Sequence, residues 1–480
     1  MKRREFLAGL GAGGLAYSLG RLPFARAAAA RPRPNFIILL ADDQGWNGLS
    51  VAMDPQVAAS RHPFRQTPNL DKLARAGLRF SRAYAPAPVC APTRYGLQTG
   101  RSPAALHMTK AAPAFTAGDG FPLVPPQHIR AIADAETTIA ELLRPAGYTT
   151  AHFGKWHLGG GGPGRHGYDA HDGDTGNRDA ERFGGDNPVD LFGMTRRACA
   201  FLDAQAAAGK PFYLQMSYHA LHYPQQATAG LQEKYRKLRP GAKERETQLA
   251  AMSEDLDRAV GQLLDHLNAL GLAESTYVVY TSDNGSGGGR GRGSPLAGGK
   301  GDLLEGGLRV PMILRGPRVP AGEVCPTAVV GYDLLPTFCE LAGIAKLPGG
   351  VEGGSLAPLL ADPVGGRVKR PHEAIAFHFP HYQGREFGPH SAVMLGSLKL
   401  LHTYEDDRVQ LYGLSDDLGE RHDLAAAMPG KAAEMKALLA ARLKALNAQM
   451  PTPNPHPDPS KAAAALRRER RRPGGRRAEP

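Results

Sequence analysis

The sequence predicts an α/β protein: one large, mostly parallel sheet sandwiched by helices, then a small antiparallel sheet with one packed helix. Three observations carry this. Residues 35–40 (NFIILL) and 276–281 (TYVVYT) are short unbroken apolar runs, the pattern of strands buried on both faces. Leu249, Met252, Leu256, Val260, Leu263, Leu264 and Leu267 recur at helical spacing just before the second run, and Gly271 ends that helix. A helix feeding a buried strand is the unit of a parallel sheet. From about His372 the pattern changes to short alternating segments: 374–379, 391–395, 398–403 and 409–412 read as strands, and 431–447 as a helix.

The 480 residues are 42% hydrophobic and 22% charged, a globular composition long enough for a large domain and a smaller one. The formal charge of +12 sits mostly at the ends. Residues 1–27 carry Lys2, Arg3, Arg4, Arg21 and Arg26 against Glu5, and residues 466–480 carry seven arginines against Glu469 and Glu479. The nearly balanced body removes the basis for a nucleic-acid-binding reading. No later apolar run is long enough to cross a bilayer. The four cysteines, Cys90, Cys199, Cys325 and Cys339, form no C-x-x-C pair, which argues against a zinc ribbon and reads as free thiols.

Arg3-Arg4 ahead of a modestly apolar segment resembles a Tat export signal, with Ala25-Arg26-Ala27 as a small-x-small cleavage site. It implies export through the Tat machinery, a periplasmic or secreted location, and completion of any chemistry at Cys90 before export. Residues 451–480 are proline-rich, then arginine-rich, and read as a disordered tail.

Four apolar runs end in polar loops. Residues 35–40 lead to Asp42-Asp43, and 276–281 to Asp283-Asn284. Residues 147–153 lead to Gly154-Lys155-Trp156-His157-Leu158-Gly159, and 212–217 to a loop holding His219 and His222. Sites in open α/β sheets form beyond the carboxyl ends of strands, so these loops are expected to converge. Three carboxylates and an amide oxygen suit Ca²⁺ or Mg²⁺ rather than zinc. Each acidic pair taken alone also reads as ordinary turn chemistry.

Cys90 precedes Pro92 at the start of a short helical run, with Arg94 one turn on. A helix N-terminus favours negative charge and lowers a thiol's pKa. The residues alone leave a buried structural thiol, or a cysteine hydrolase using Cys90 and His157, as readings. The string C-x-P-x-R followed by Thr99-Gly100-Arg101 resembles the signature of the type I sulfatases, in which the cysteine becomes formylglycine (3-oxoalanine). G-K-W-H-L-G resembles the second sulfatase signature. H-x-x-H-Y-P and the loop around Lys300 are weaker matches, and the D-x-x-P-T run from Asp333 also resembles the family, with core packing as its expected job. The Lys300 loop is not a P-loop, because Gly301 follows the lysine.

The resemblance covers 35–446 and implies an alkaline phosphatase-like fold, with a catalytic domain over 34–365 and a small α/β subdomain over 366–450. It implies one divalent cation, usually Ca²⁺, on Asp42, Asp43, Asp283 and Asn284, with residue 90 completing the shell. The hydrated aldehyde at 90 would attack the sulfur of a sulfate monoester. Arg94, Lys155 and Lys300 would cancel the repulsion between anions. His222 and Lys300 are the implied proton donors to the leaving alcohol. His157 is the implied base whose action expels sulfate and restores the aldehyde. Partners implied are a sulfated small molecule or oligosaccharide and a formylglycine-generating maturation enzyme. His378, His381 and Tyr382 suit sugar recognition, or equally the packing of a strand edge, and the resemblance to sulfatases acting on carbohydrates places them at the substrate pocket. Residues 285–293, His171, Asp172 and Arg178 are expected at the rim. A phosphodiesterase or phosphonate monoester hydrolase using the same site, and a catalytically dead binding protein, remain as alternatives.

Overall fold

The computed structural model describes residues 33–286, 294–383 and 388–471. From Arg33 onward these form one compact unit. Its centre is an eight-stranded sheet in the order Val324–Cys325, Leu78–Phe80, Met312–Arg315, Thr276–Ser282, Asn35–Ala41, Phe212–Ser217, Thr149–Gly154, Ala170–His171. Met312–Arg315 runs antiparallel to both neighbours, and every other pairing is parallel.

Every residue of Asn35–Ala41 is buried, because helices cover both faces. Ile37, Leu39 and Ala41 face one core, with Met194 and Leu202 of helix Leu191–Ala208 and Leu256 and Val260 of helix Glu244–Ala269. Phe36, Ile38 and Leu40 face the other, with Tyr95 and Leu97 of helix Cys90–Thr99 and Leu335 and Phe338 of helix Leu334–Leu341. Alternation along the strand thus assigns successive residues to two cores. The central strand is flanked by Thr276–Ser282 and Phe212–Ser217, both parallel to it, so its carboxyl end lies where open α/β sheets carry their sites.

The small sheet is antiparallel, in the order Ile375–Phe379, His390–Leu395, Leu398–Thr403, Val409–Gly413. Helix Pro429–Ala445 packs on it through Ala432, Met435, Leu439 and Leu443. Its other face shares a core with the larger part: Ile375, Phe377, Phe379 and Leu401 pack with Tyr84, Val89, Leu303, Leu304 and Leu308.

The expected disordered tail needs correction. Thr452–Pro453 pairs with Leu123–Val124, and Pro459–Arg471 is helical. Ala465, with Ala462 and Leu466, packs on Phe121 and Tyr382, and the Asn454 amide donates to the carbonyls of Ala117 and Phe121. The alanine run between the prolines and the arginines supplies the apolar face that composition averaged over the tail conceals. The export segment, most of 285–293 and the last nine residues lie outside the described residues. Cys199, Cys325 and Cys339 are free thiols.

Candidate active site

Asp42 and Asp43 follow the central strand directly, and Asp283 and Asn284 follow its parallel neighbour, whose register pairs Ala41 with Ser282. Ligand oxygens of Asp42, Asp43 and Asp283 lie within 4.8 Å of one another. Asp43 takes φ 62°, a left-handed conformation that turns the chain back, so that its N–H donates to Asp283 Oδ1 at 3.2 Å. Among the described residues, Asp42 Oδ1 and Asn284 Oδ1 are buried without a hydrogen-bond partner. Buried polar atoms are nearly always satisfied, so two orphaned oxygens beside two more carboxylates form a donor set that fits a hard cation.

Cys90 opens helix Cys90–Thr99, all ten residues of which are buried. Thr93 Oγ1 donates to Ala87 O at 3.0 Å and accepts from Ala87 N–H at 3.2 Å, fixing the chain just ahead of the cysteine. One turn on, Arg94 donates from Nε and Nη2 to Asp283 Oδ2 at 3.0 and 2.7 Å and from Nη1 to Lys155 O at 2.6 Å. The thiol of Cys90 interacts electrostatically with Arg94, Asp283 and Lys300.

Lys155 is wholly buried and its Nζ donates to Asp42 Oδ2. It leaves strand Thr149–Gly154 at Gly154, whose φ is +91°; a Cβ there would sit 2.2 Å from Ser217 O. Only glycine allows that approach. Thr175 positions the loop that follows: its Oγ1 donates to Gly154 O and accepts from Trp156 N–H, and its carbonyl accepts from His157 N–H at 2.8 Å. His157 sits at φ 58°. Lys300 Nζ donates to Asp43 Oδ1. Its loop is pinned by Lys300 N–H to Ser286 O at 3.0 Å and by Gly301 N–H to Pro88 O at 2.9 Å, two residues before Cys90.

Formal charge in this cluster is balanced, Asp42, Asp43 and Asp283 against Arg94, Lys155 and Lys300. Burial opposes ionisation of Asp42, but Lys155, His222 and Arg94 hold its carboxyl well below the usual range. Burial, then the neighbouring Asp42 charge, pushes Asp283 up to about 7. Burial, then Lys155 and Arg94, holds His157 far below the usual imidazole value. Burial, then Lys300 and Lys155, lowers His222 to about 4. Both imidazoles are therefore neutral at pH 7. His222 donates from Nδ1 to Tyr223 O at 2.8 Å, which leaves Nε2 as the basic nitrogen. Burial works against charge on Lys300, but Asp43 and the other anions keep it protonated.

Access divides the site. Asp42, Asp283, Asn284, Arg94 and Lys155 are closed off, whereas His157, His222, Asp43 and Lys300 are partly exposed, Lys300 by 15% of its side chain. An incoming group meets the two imidazoles and Lys300 first.

His378, His381 and Tyr382 are packing residues here, not an open sugar platform. His378 is buried between Ser391 Oγ (2.6 Å) and Gln449 O (2.9 Å), and His381 Nε2 is spent on Thr109 Oγ1 (2.8 Å). Tyr382 stacks on Phe121 at 3.9 Å, with its hydroxyl on Glu405. Burial in the joint with the C-terminal segment takes up the polarity that suggested sugar binding. Asp172 Oδ2 accepts from Gly154 N–H and Arg197, supporting the Lys155 loop from behind, while His171 and Arg178 are exposed. Thr175 carries no sequence signal beyond a polar residue in a glycine-rich loop.

The family described as Sulfatase matches residues 34–344, and that described as N-sulphoglucosamine sulphohydrolase, C-terminal, matches 300–449. Arylsulfatase A of Homo sapiens is 31% identical over 491 residues, covering 88% of this chain and 89% of that protein. N-acetylgalactosamine-6-sulfatase of Canis lupus familiaris is 33% identical over 362 residues, 66% of this chain and 64% of that protein's length. Among solved structures, Ps i-CgsB in complex with k-i-k-neocarrahexaose superposes with TM-score 0.69 at 26% identity, over 86% of this chain and 93% of that one. A structure of BT4656 with its substrate D-glucosamine-2-N,6-O-disulfate shares the fold at 20% identity and TM-score 0.64, over 86% of this chain and 98% of that one.

Proposed function

The chain belongs to the sulfatase family, and from that premise we propose that it hydrolyses sulfate monoesters on a saccharide, using a formylglycine made from Cys90 and a bound Ca²⁺. The observation that carries the reading is the meeting of three strand-end connections with the Cys90 helix: Asp42, Asp43, Lys155, Asp283 and Lys300 come from the connections and Arg94 from the helix, three carboxylates and three cations in one cluster. Saccharide specificity draws on a relative named N-acetylgalactosamine-6-sulfatase and on a structural neighbour solved in complex with k-i-k-neocarrahexaose.

Oxidised to formylglycine and hydrated, residue 90 supplies the oxygen nucleophile toward sulfur. Asp42, Asp43, Asp283 and Asn284 would hold a divalent cation, with Ca²⁺ favoured and Mg²⁺ the alternative, which would supply positive charge opposite a bound sulfate. Lys155 and Arg94, fixed by buried ion pairs, keep their charge in place before the substrate arrives, so no reorganisation is needed on binding. Lys300 binds the ester from the open side and carries a proton for the leaving alcohol. His222 shares that task once an anion offsets Lys300 and Lys155, the cations that together with burial depress it. His157, neutral and unpartnered at Nδ1, would take the proton from the second hydroxyl of residue 90 as the C–O bond to sulfate breaks, so that sulfate leaves with the electron pair and the aldehyde is restored.

The Arg3-Arg4 segment supports export by the Tat route to the periplasm, after a host maturation enzyme has acted on Cys90. The test is initial-rate hydrolysis of p-nitrophenyl sulfate and of 6-sulfated N-acetylgalactosamine, with phosphate and phosphonate esters in parallel. Sulfate release that Cys90→Ser abolishes supports the reading. Preference for the phosphorus esters replaces it with phosphoryl hydrolysis.

A further inference from the structure

Lys300 stands at the open side of the site, yet the 303–305 segment after it is hydrogen-bonded to the small C-terminal sheet and the loop that follows it. Leu303 N–H donates to His390 Nε2 at 3.1 Å, and His390 Nδ1 donates to Gly388 O at 2.7 Å, which sets the tautomer. Glu305 N–H donates to Glu420 Oε2 at 2.7 Å. Lys399, wholly buried in strand Leu398–Thr403, lies 3.0 Å from Glu305 Oε1 and 2.9 Å from Glu420 Oε1. The far oxygen of Glu305 accepts from Tyr84 OH at 3.0 Å and pairs with Arg309 at 3.4 Å. Arg309 in turn lies 4.3 Å above the Trp46 ring, three residues beyond Asp43. Two carboxylates and two basic side chains, of balanced formal charge, thus form a buried group that joins the small C-terminal part to both the Lys300 loop and the Asp43 loop.

The same fold could have joined its two parts by apolar packing alone, and most of their shared core is apolar. A buried ion pair adds little net stability over a well-packed apolar contact, but it accepts only one geometry. We propose that Lys399, His390 and Glu420 are positioning residues: they hold the 303–305 segment in register and so fix where Lys300 points. This rests on the sulfatase reading for the chemistry of Lys300, but the placement of the loop does not.

The experiment therefore has two arms. In the first, lysine reductive methylation is followed by peptide mass spectrometry on the wild type, His390→Phe, and the charge-balanced Lys399→Met/Glu420→Gln double variant. Lys300 labelling is expected to rise at least fivefold in both variants, with buried Lys155 unchanged. Unchanged Lys300 labelling, or equal acceleration at Lys155, overturns the proposal. In the second arm, kcat is expected to fall at least tenfold for an alkyl sulfate and less than threefold for p-nitrophenyl sulfate, whose leaving group needs no proton, with KM within twofold. An equal fall for both esters overturns the positioning role. A wild type that turns over neither ester sinks the functional reading and leaves the labelling arm to decide this one.

Discussion

Arg94→Met tests the electrostatic logic of the site directly. The guanidinium is buried, forks onto Asp283 Oδ2 at 3.0 and 2.7 Å, and lies 3.6 Å from Asp42 Oδ2. Methionine keeps much of the volume and removes the charge. Three carboxylates then face two ammonium groups in a closed space. Breaking a buried pair by removing one partner costs about 3–5 kcal/mol, because the other charge is left uncompensated. With an unfolding entropy of about 2.1 cal/mol/K per residue, a chain of this size has ΔS of about 1 kcal/mol/K, so the loss corresponds to a fall of about 3–5 °C in Tm. A divalent cation on these carboxylates would restore the missing positive charge and should bind more tightly in the variant. The fall should then shrink to about 1 °C in saturating Ca²⁺ while standing in full in chelator. Calorimetric Tm values for wild type and variant in both buffers decide it. Equal losses in the two buffers, or no loss in chelator, would mean that Arg94 does not compensate these carboxylates.

Other expectations follow from single sites. Cys90→Ser and Cys90→Ala should lose sulfate-ester turnover, and the Cys90 peptide of the active protein should show the mass change of thiol-to-aldehyde conversion; an unmodified cysteine in a fully active enzyme refutes the nucleophile. If Tat export follows maturation, the cytosolic precursor already carries that mass change, and an unmodified precursor beside a modified exported form rules the order out. Arg370→Met should cost about 3–5 kcal/mol in denaturant unfolding, since Arg370 Nε reaches Asp333 Oδ1 at 2.8 Å and Asp333 also caps Val330 N–H and Gly354 N–H. Burial lowers His378 and His390 each from 6.5 to about 4, so between those values the unfolded chain binds protons that the folded one refuses. Stability is then full above pH 6.5 and falls toward pH 4, by about 3 kcal/mol per histidine. A Tm that stays flat from pH 7 to 5 contradicts this.

Local chemistry set the site's parts before folding was known. The run at 35–40 is apolar at every position because both faces are covered, and the acidic pair after it ends the strand. Lys155 and His157 follow another such run, and Pro92 marks the start of the Cys90 helix. These signals are legible because each spans a few neighbouring residues. Periodicity likewise found helix Glu244–Ala269 and all four strands of the small sheet.

What the chain order did not contain is who meets whom. Thr175 holds the Lys155 loop from twenty residues away, and Lys399 reaches Glu305 across 94 positions. Nothing in a threonine or a lysine advertises such a partner, because the energy of the contact arises only once water is excluded around it. The same reason misdirected the reading of His378, His381 and Tyr382: an imidazole's sequence neighbours do not say whether its nitrogens face solvent or are consumed in a buried joint. The helical tail shows the converse, since Ala465 stabilises nothing until Phe121 and Tyr382 offer it a surface.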